Sequence, residues 1–279
     1  MGNRVRVALF AVLSLCVCFA LVTSIAVAQD TKQGSGKAKG KQGSGKDKGK
    51  QGSGKNGKGK NGKGKGKDQN QGDRYQKSFP PEPYKNTGSN PHFILEPGYV
   101  LKLAGEDEGE QVELTITVTN ETEVVDGVET RVVEERETKD GKLFEISRNF
   151  FVLGEKTNNA YYFGEDVEFF DGRANPNEGS WRSGVDGAKY GQQMPAKARE
   201  GQRYYQEVAP GVALDRAEHV SLKADVQTPA GNFRNVLKVR ETTPLEPKVE
   251  EFKFHAEGVG LIKDGPLLLT CPGSSVCAT

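Results

Sequence analysis

The stretch from Gln111 to Thr119, QVELTITVT, alternates without a break: Val112, Leu114, Ile116 and Val118 fall on one face, and Glu113, Thr115, Thr117 and Thr119 on the other. A period of two sorts apolar from polar residues only on a strand, with one face on a core and the other toward water. The texture continues on both sides of it. Asp-Gly recurs at 126–127, 140–141, 171–172, 186–187 and 264–265, and this pair tolerates the positive φ angles that tight hairpin turns require. VVDGVETRVV (124–133) and ETKDGKLFEI (137–146) therefore read as consecutive hairpins. Further strands are predicted in AYYFG, VEFF, QRYYQEV, HVSLKADVQTP, NFRNVLKVRET, EEFKFHAEG and VGLIKDG, between Ala160 and Gly265. Short strands at close spacing, with no long amphipathic helix, predict one antiparallel all-β domain over residues 93–270. The segment 181–201, WRSGVDGAKYGQQMPAKAREG, interrupts the pattern and reads as a long loop with one helical turn near Ala196–Glu200.

The chain ahead of this domain has another character. Residues 1–28 carry Arg4 and Arg6, an uncharged apolar run from Val7, and the small-residue close Ala26-Val27-Ala28 of a cleaved signal peptide. The same run is long enough to span a bilayer as an uncleaved anchor, the alternative to export in soluble form. Residues 29–78 follow with fourteen lysines and Arg74 against four aspartates, a net +11, and Gln-Gly-Ser-Gly-Lys... units decay into Gly-Lys and Asn-Gly-Lys repeats up to Lys67. With two arginines before it and a whole-chain charge of +1, the part from Phe79 onward carries −12. A tract without apolar residues cannot offset its conformational entropy by burial, so it is expected to be a disordered tether with a reach of roughly 35–42 Å. Lys41, Lys46, Lys48, Lys50, Lys55, Lys58, Lys60, Lys63, Lys65 and Lys67 are its candidate polyanion-binding residues. Lysines on a flexible chain bind polyanions without sequence preference, which favours an anionic polymer or membrane surface as partner and disfavours sequence-specific nucleic acid recognition. Residues 79–92 read as a proline-containing junction, and 271–279 as a C-terminal tail.

YYFGEDVEFF (161–170), YYQEVAPGVALDRAE (204–218), TPAGNF (228–233), ETTPLEP (241–247) and HAEGVGLIKDG (255–265) together resemble an uncharacterised family of exported bacterial β-rich proteins. The similarity runs more loosely through EPGYVLKL (96–103) and residues 127–151, and does not reach the basic tract. The terminal A-x-G-V-G-L-I pattern also resembles periplasmic lipoprotein-carrier-like proteins, which implies a strongly curved sheet or open half barrel. Such proteins read Ala-Pro-Gly-Val-Gly there; Glu257 stands in place of the proline. The resemblance transfers no catalytic residues, and fold alone does not fix function.

Chemistry-bearing motifs are few. The three histidines, His92, His219 and His255, lie far apart in sequence without metal-ligand spacing, and there is no phosphate-cradling loop or nucleophile elbow. No cofactor is therefore expected. The carboxylates of GEDEGEQVE, VVEERE and PKVEEF read as solvated faces; their use in a glycan-cleaving enzyme is the alternative. Tyr161, Tyr162, Trp181, Tyr204 and Tyr205 are candidate lining residues of a groove for an apolar or glycan ligand, because adjacent rings on a strand must face opposite ways and one of each pair is available to a surface; filling of the core, with scattered surface aromatics, is the competing reading of the same residues. Cys271 and Cys277 flank PGSSV and are a candidate disulfide in an oxidising compartment, although two tail cysteines without a role in activity fit equally. The functional expectation is an exported, non-enzymatic envelope or secreted binding protein, tethered by its basic segment; a purely adhesive matrix protein is a further alternative.

Overall fold

The computed structural model describes residues 74–273. The apolar leader, the lysine-glycine tract up to Lys67 and Cys277 lie outside the described residues.

Seventeen strands follow one another without a helix among the described residues. Three short ones come first, β1 (Tyr84–Lys85), β2 (Ser89–Asn90) and β3 (Phe93–Ile94). A long meander follows in β4 (Val100–Asp107), β5 (Glu110–Val125), β6 (Val128–Lys139), β7 (Lys142–Gly154) and β8 (Ala160–Phe169). Four shorter strands come next, β9 (Trp181–Arg182), β10 (Lys189–Met194), β11 (Arg203–Tyr205) and β12 (Glu207–Val208). A second meander closes the domain with β13 (Arg216–Thr228), β14 (Gly231–Thr242), β15 (Glu250–Ala256), β16 (Gly260–Asp264) and β17 (Leu267–Pro272).

All but β2 and β3 belong to one antiparallel sheet, ordered β11-β13-β14-β15-β16-β17-β4-β5-β6-β7-β8-β10-β12, with β1 attached to β7 and β9 to β8. The last strand pairs with the first of the long meander, Leu269 opposite Leu103, so the sheet curls nearly into a barrel with a single seam between its two ends. The ends are adjacent in sequence, since only Gln206 separates β11 from β12. Across the seam the backbones press together. A Cβ on Gly191 of β10 would stand 2.2 Å from the Gln206 carbonyl oxygen, and the Tyr204 hydroxyl donates to the Gln193 carbonyl at 3.4 Å.

The Asp-Gly pairs do what their chemistry predicts at the hairpins. Asp126-Gly127 and Asp140-Gly141 hold four consecutive-pair φ angles of 53°, 76°, 47° and 73° at the β5–β6 and β6–β7 turns, where a β-branched residue would be strained. Val112, Leu114 and Val118 are buried, as the alternation of QVELTITVT requires. The segment 181–201 differs from its expectation: it contributes β9 and β10 to the sheet and has no helical turn, because its polar residues are recruited to pair with the long edge of β8.

The larger correction concerns the junction. Residues 75–94 are part of the fold rather than a stiff lead-in to it. Gln76 forms a parallel bridge with Tyr204 of the edge strand β11, Phe79 is buried, and Tyr84 and Lys85 pair with Gly154 and Leu153. Glu82 accepts hydrogen bonds from the Lys156 and Thr157 amides and from the Tyr161 hydroxyl. This clamps the segment onto the β7–β8 turn, and the bonds hold the Glu82 carboxyl below its ordinary range against the opposing pull of burial.

Candidate functional site

The five aromatic candidates are all core residues. Tyr161, Tyr162, Trp181, Tyr204 and Tyr205 are each 5% exposed or less, so none lines an open groove. Their rings do alternate across the sheet. Tyr162 stacks on Phe151 at 4.7 Å on one side, while Tyr161 meets Phe79 and Tyr84 on the other. The face expected to be open is covered, because the aromatics of the N-terminal segment lie on it. The same happens at the seam, where Tyr204 contacts His219 and Tyr205 contacts Tyr75 and Lys77.

A partly open cavity of about 90 Å³ lies instead between β4–β7 and β15–β16, large enough for several waters or one small organic molecule. Its walls are apolar and aromatic: Phe93, Tyr99, Leu101, Ile116, Phe151 and Leu261. One wall comes from the inner faces of β4 to β7 and the other from β15 and β16, with His92–Ile94 laid across them. That strap is anchored by Asn90, fully buried, whose amide donates to the Asn158 and Met194 carbonyls and whose oxygen accepts from the His92 amide. The Gly258 amide donates to the Pro91 carbonyl and the Tyr99 hydroxyl to the Val259 carbonyl, so strap and β15–β16 turn hold one another.

The polar side of this cavity is formed by Glu135, Lys253, His255, Asp264, His92 and Gln193. Strand register explains why acids point inward. Val118 faces Val133, Ile116 faces Glu135 and Leu114 faces Glu137 across β5 and β6, so the face that Leu114 and Ile116 bury carries the two glutamates with it. The VVEERE acids are therefore not all solvated, contrary to expectation. On β7 the same face presents Glu145, Ser147 and Asn149, all buried, with Glu145 directly opposite Glu137.

Electrostatics in this interior follow from burial. Desolvation raises the Glu135 carboxyl to about 8 despite the attraction of Lys253, with Asp264, Glu145 and Glu137 adding to the rise. Glu137 and Glu145 are pushed up to about 7 by the same cause, and Glu165 goes well above the usual range, burial being reinforced by Glu207 and Glu145. Lys253 responds differently. Burial alone would lower it, but Asp264 and Glu241 outweigh that and hold it charged; its Nζ lies 3.0 Å from Glu241 and 3.7 Å from Asp264.

The three histidines, distant in sequence, lie close enough in the fold to influence one another's charge. Burial first, then repulsion from His92, joined at His255 by Lys253 and His219, lowers His255 to about 3 and His219 to about 4, so both are neutral. His219 Nε2 is 3.0 Å from the Tyr204 hydroxyl. His92 and His255 line the cavity, and their Nδ1 atoms, like Glu135 Oε2, are buried without a hydrogen-bond partner. Among the described residues no group of three or more His, Cys, Asp or Glu is arranged to hold a metal ion, and no helix is long and apolar enough to cross a membrane. Cys271 is disulfide-bonded; its expected partner Cys277 lies outside the described residues.

The fold and site define an all-β protein, a nearly closed antiparallel barrel with a small, largely apolar-walled cavity. No protein family, curated protein or solved structure matches the chain.

Proposed function

We propose that the chain is an exported binding protein of the cell envelope or its surroundings, akin to the exported bacterial β-rich proteins it resembles. Its barrel takes a small amphipathic molecule, and its lysine-rich segment tethers it to an anionic polymer or surface. One observation carries the ligand reading: three buried polar atoms, Glu135 Oε2, His92 Nδ1 and His255 Nδ1, lack partners around a cavity whose remaining walls are largely apolar. Buried polar atoms are ordinarily satisfied, and leaving one bare is costly, so the arrangement suits an occupant with an apolar body and a hydrogen-bonding head. The tether reading rests on the charge division of the sequence, +11 over residues 29–78 against −12 beyond. The raised glutamates temper that second figure, since carboxyls held protonated inside the barrel contribute no charge to its surface.

Calorimetric titration of the mature protein with benzyl alcohol, beside the cavity-filling variant Ile116→Phe, tests the ligand reading. Saturable binding that the variant loses is expected. Binding left unchanged in a folded Ile116→Phe protein, and in Val259→Phe at the rim, would place the ligand elsewhere.

A further inference from the structure

The cavity's polar atoms also specify the charge of what it takes, an inference that rests on the cavity being a ligand site. Lys253 lines the cavity, but two carboxylates, Glu241 and Asp264, already surround its ammonium, so it offers little to an incoming anion. The groups left without partners are acceptors or can become so. His255, 6% exposed, has a backbone hydrogen bond to His92 while its Nδ1 stays unpartnered; a ring that donates through one nitrogen presents the other as an acceptor. His92 Nδ1 and Glu135 Oε2 are likewise buried without a partner. An ammonium group has three donors and no acceptor. Phe93, Tyr99 and Phe151 line the same space, and aromatic faces attract a desolvated cation.

We infer that the cavity takes a small aliphatic amine, its ammonium head seated against Glu135, with His92 and His255 as further acceptors and its apolar body along Phe93, Tyr99, Phe151 and Leu261. A carboxylate of the same shape would find no uncommitted cation in the cavity, because Lys253 is held by Glu241 and Asp264. An alcohol of the same shape would satisfy only part of the acceptor set.

Binding carries a protonic signature. The groups that set the charge of Glu135 on β6 are Glu137 on its own strand, Glu145 on β7, Lys253 on β15 and Asp264 on β16. With burial, their balance keeps the carboxyl protonated to about 8, and an ammonium beside it favours the ionised form. Each amine bound near neutral pH should therefore expel close to one proton, on the order of the protonated fraction of Glu135.

The test titrates the mature protein with isobutylamine, 2-methylpropan-1-ol and isobutyrate, near neutral pH, in two amine-free buffers of unlike ionisation enthalpy. The amine should bind about tenfold or more tightly than the alcohol, isobutyrate should not saturate, and the buffer difference should report proton release. Glu135→Gln should erase both the preference for amine and the proton release while still binding the alcohol; its fold is read by circular dichroism, and the wild-type proton count stands independently of it. Tighter binding of isobutyrate, or an amine preference that survives Glu135→Gln, overturns the inference. If the alcohol saturates and the amine is no tighter, the amine inference falls and the cavity reading stands; if none of the three saturates, both fall.

Discussion

Stability should peak in mildly acidic solution and decline toward neutral and alkaline pH, the reverse of what surface ion pairs alone would give. Burial holds Glu135 protonated to about 8, against 4.5 for an ordinary glutamate. Between those values the folded protein retains a proton that the unfolded chain has released, so raising the pH favours unfolding. The slope is about 1.4 kcal/mol per pH step while the folded group stays protonated and falls off as pH 8 is reached, which gives about 2 kcal/mol between pH 6 and 8 from Glu135 alone. Glu137 and Glu145, raised by burial to about 7, add up to about 1 kcal/mol each over the lower half of that range, less where they share protons. His255 and His219, lowered by burial to about 3 and about 4, act the other way. Below their ordinary value of 6.5 the unfolded chain takes up protons that the folded one refuses, and that contribution to stability is lost as the pH falls. Glu218, which burial alone would raise but which Arg203 and Arg240 hold down, loses its contribution in acid too. The carboxyls outnumber the histidines, which places the maximum at about pH 5. Urea unfolding across the range from about pH 4 to 9 is the assay; with a slope of about 2–3 kcal/mol/M for a domain of this size, the midpoint should drop by about 1–1.5 M between pH 6 and 8. Glu135→Gln should flatten about half or more of that decline and leave the acid side unchanged. A midpoint that is level or rises from pH 6 to 8, or a decline undiminished in Glu135→Gln, would refute the reasoning.

Three further outcomes follow from the architecture. Gly191→Ala places a Cβ 2.2 Å from the Gln206 carbonyl oxygen and 2.6 Å from that of Tyr205, so the seam must part; a loss of about 1–3 kcal/mol in urea unfolding is expected, and a loss within error would mean that the seam yields freely. Asn90→Ala removes the hydrogen bonds that anchor the strap and should cost about 1–3 kcal/mol, with faster amide exchange at residues 89–94 than elsewhere in the barrel. Removing residues 29–73 should abolish binding of the protein to dextran sulfate at low salt, and high salt should do the same to the intact protein; salt-insensitive binding that survives the deletion would put polyanion recognition in the barrel.

The sheet was legible because its turns and alternation are local properties. QVELTITVT declares its buried face, and Asp-Gly declares its hairpins, before any tertiary contact forms. Closure was not legible: that β17 returns to pair with β4 depends on how far thirteen paired strands curl, which no short window records. The aromatic groove failed for a specific reason. Tyr75, Phe79 and Tyr84 sat in a segment read as linker and junction, and three aromatics in ten residues are a sign of packing that the proline content obscured. The inward acids were partly within reach, since Val133, Glu135 and Glu137 share a face at a period of two. What the sequence could not supply was that this face is the one opposite Leu114 and Ile116. Nor could spacing rules bring His92, His219 and His255 together, because strands far apart in the chain supply them.

The interior is more polar than stability requires. A domain of this size can fill itself with aliphatic and aromatic side chains, and one end of this barrel does so, with Leu103, Leu114, Ile262, Leu267 and Leu269 almost wholly buried. Elsewhere the interior is charged: Glu137, Glu145 and Asp264 are buried, and Glu135 and Lys253 line the cavity beside Asp264. Replacing such groups with apolar residues of similar volume is often neutral or stabilising. Glu135 is the sharpest case, because Lys253 is committed to Glu241 and Asp264, and burial costs the carboxyl its charge at neutral pH. A side chain that weakens the empty barrel, faces a cavity and leaves an oxygen unsatisfied gains its favourable interaction only when something else arrives. The predicted alkaline loss of stability and the inferred amine site are therefore linked: a bound ammonium should restore at pH 8 much of what the empty protein loses there, and isobutylamine should raise the urea midpoint more at pH 8 than at pH 5. An equal rise at both pH values would separate the two, leaving the buried acids as a structural feature without a part in binding.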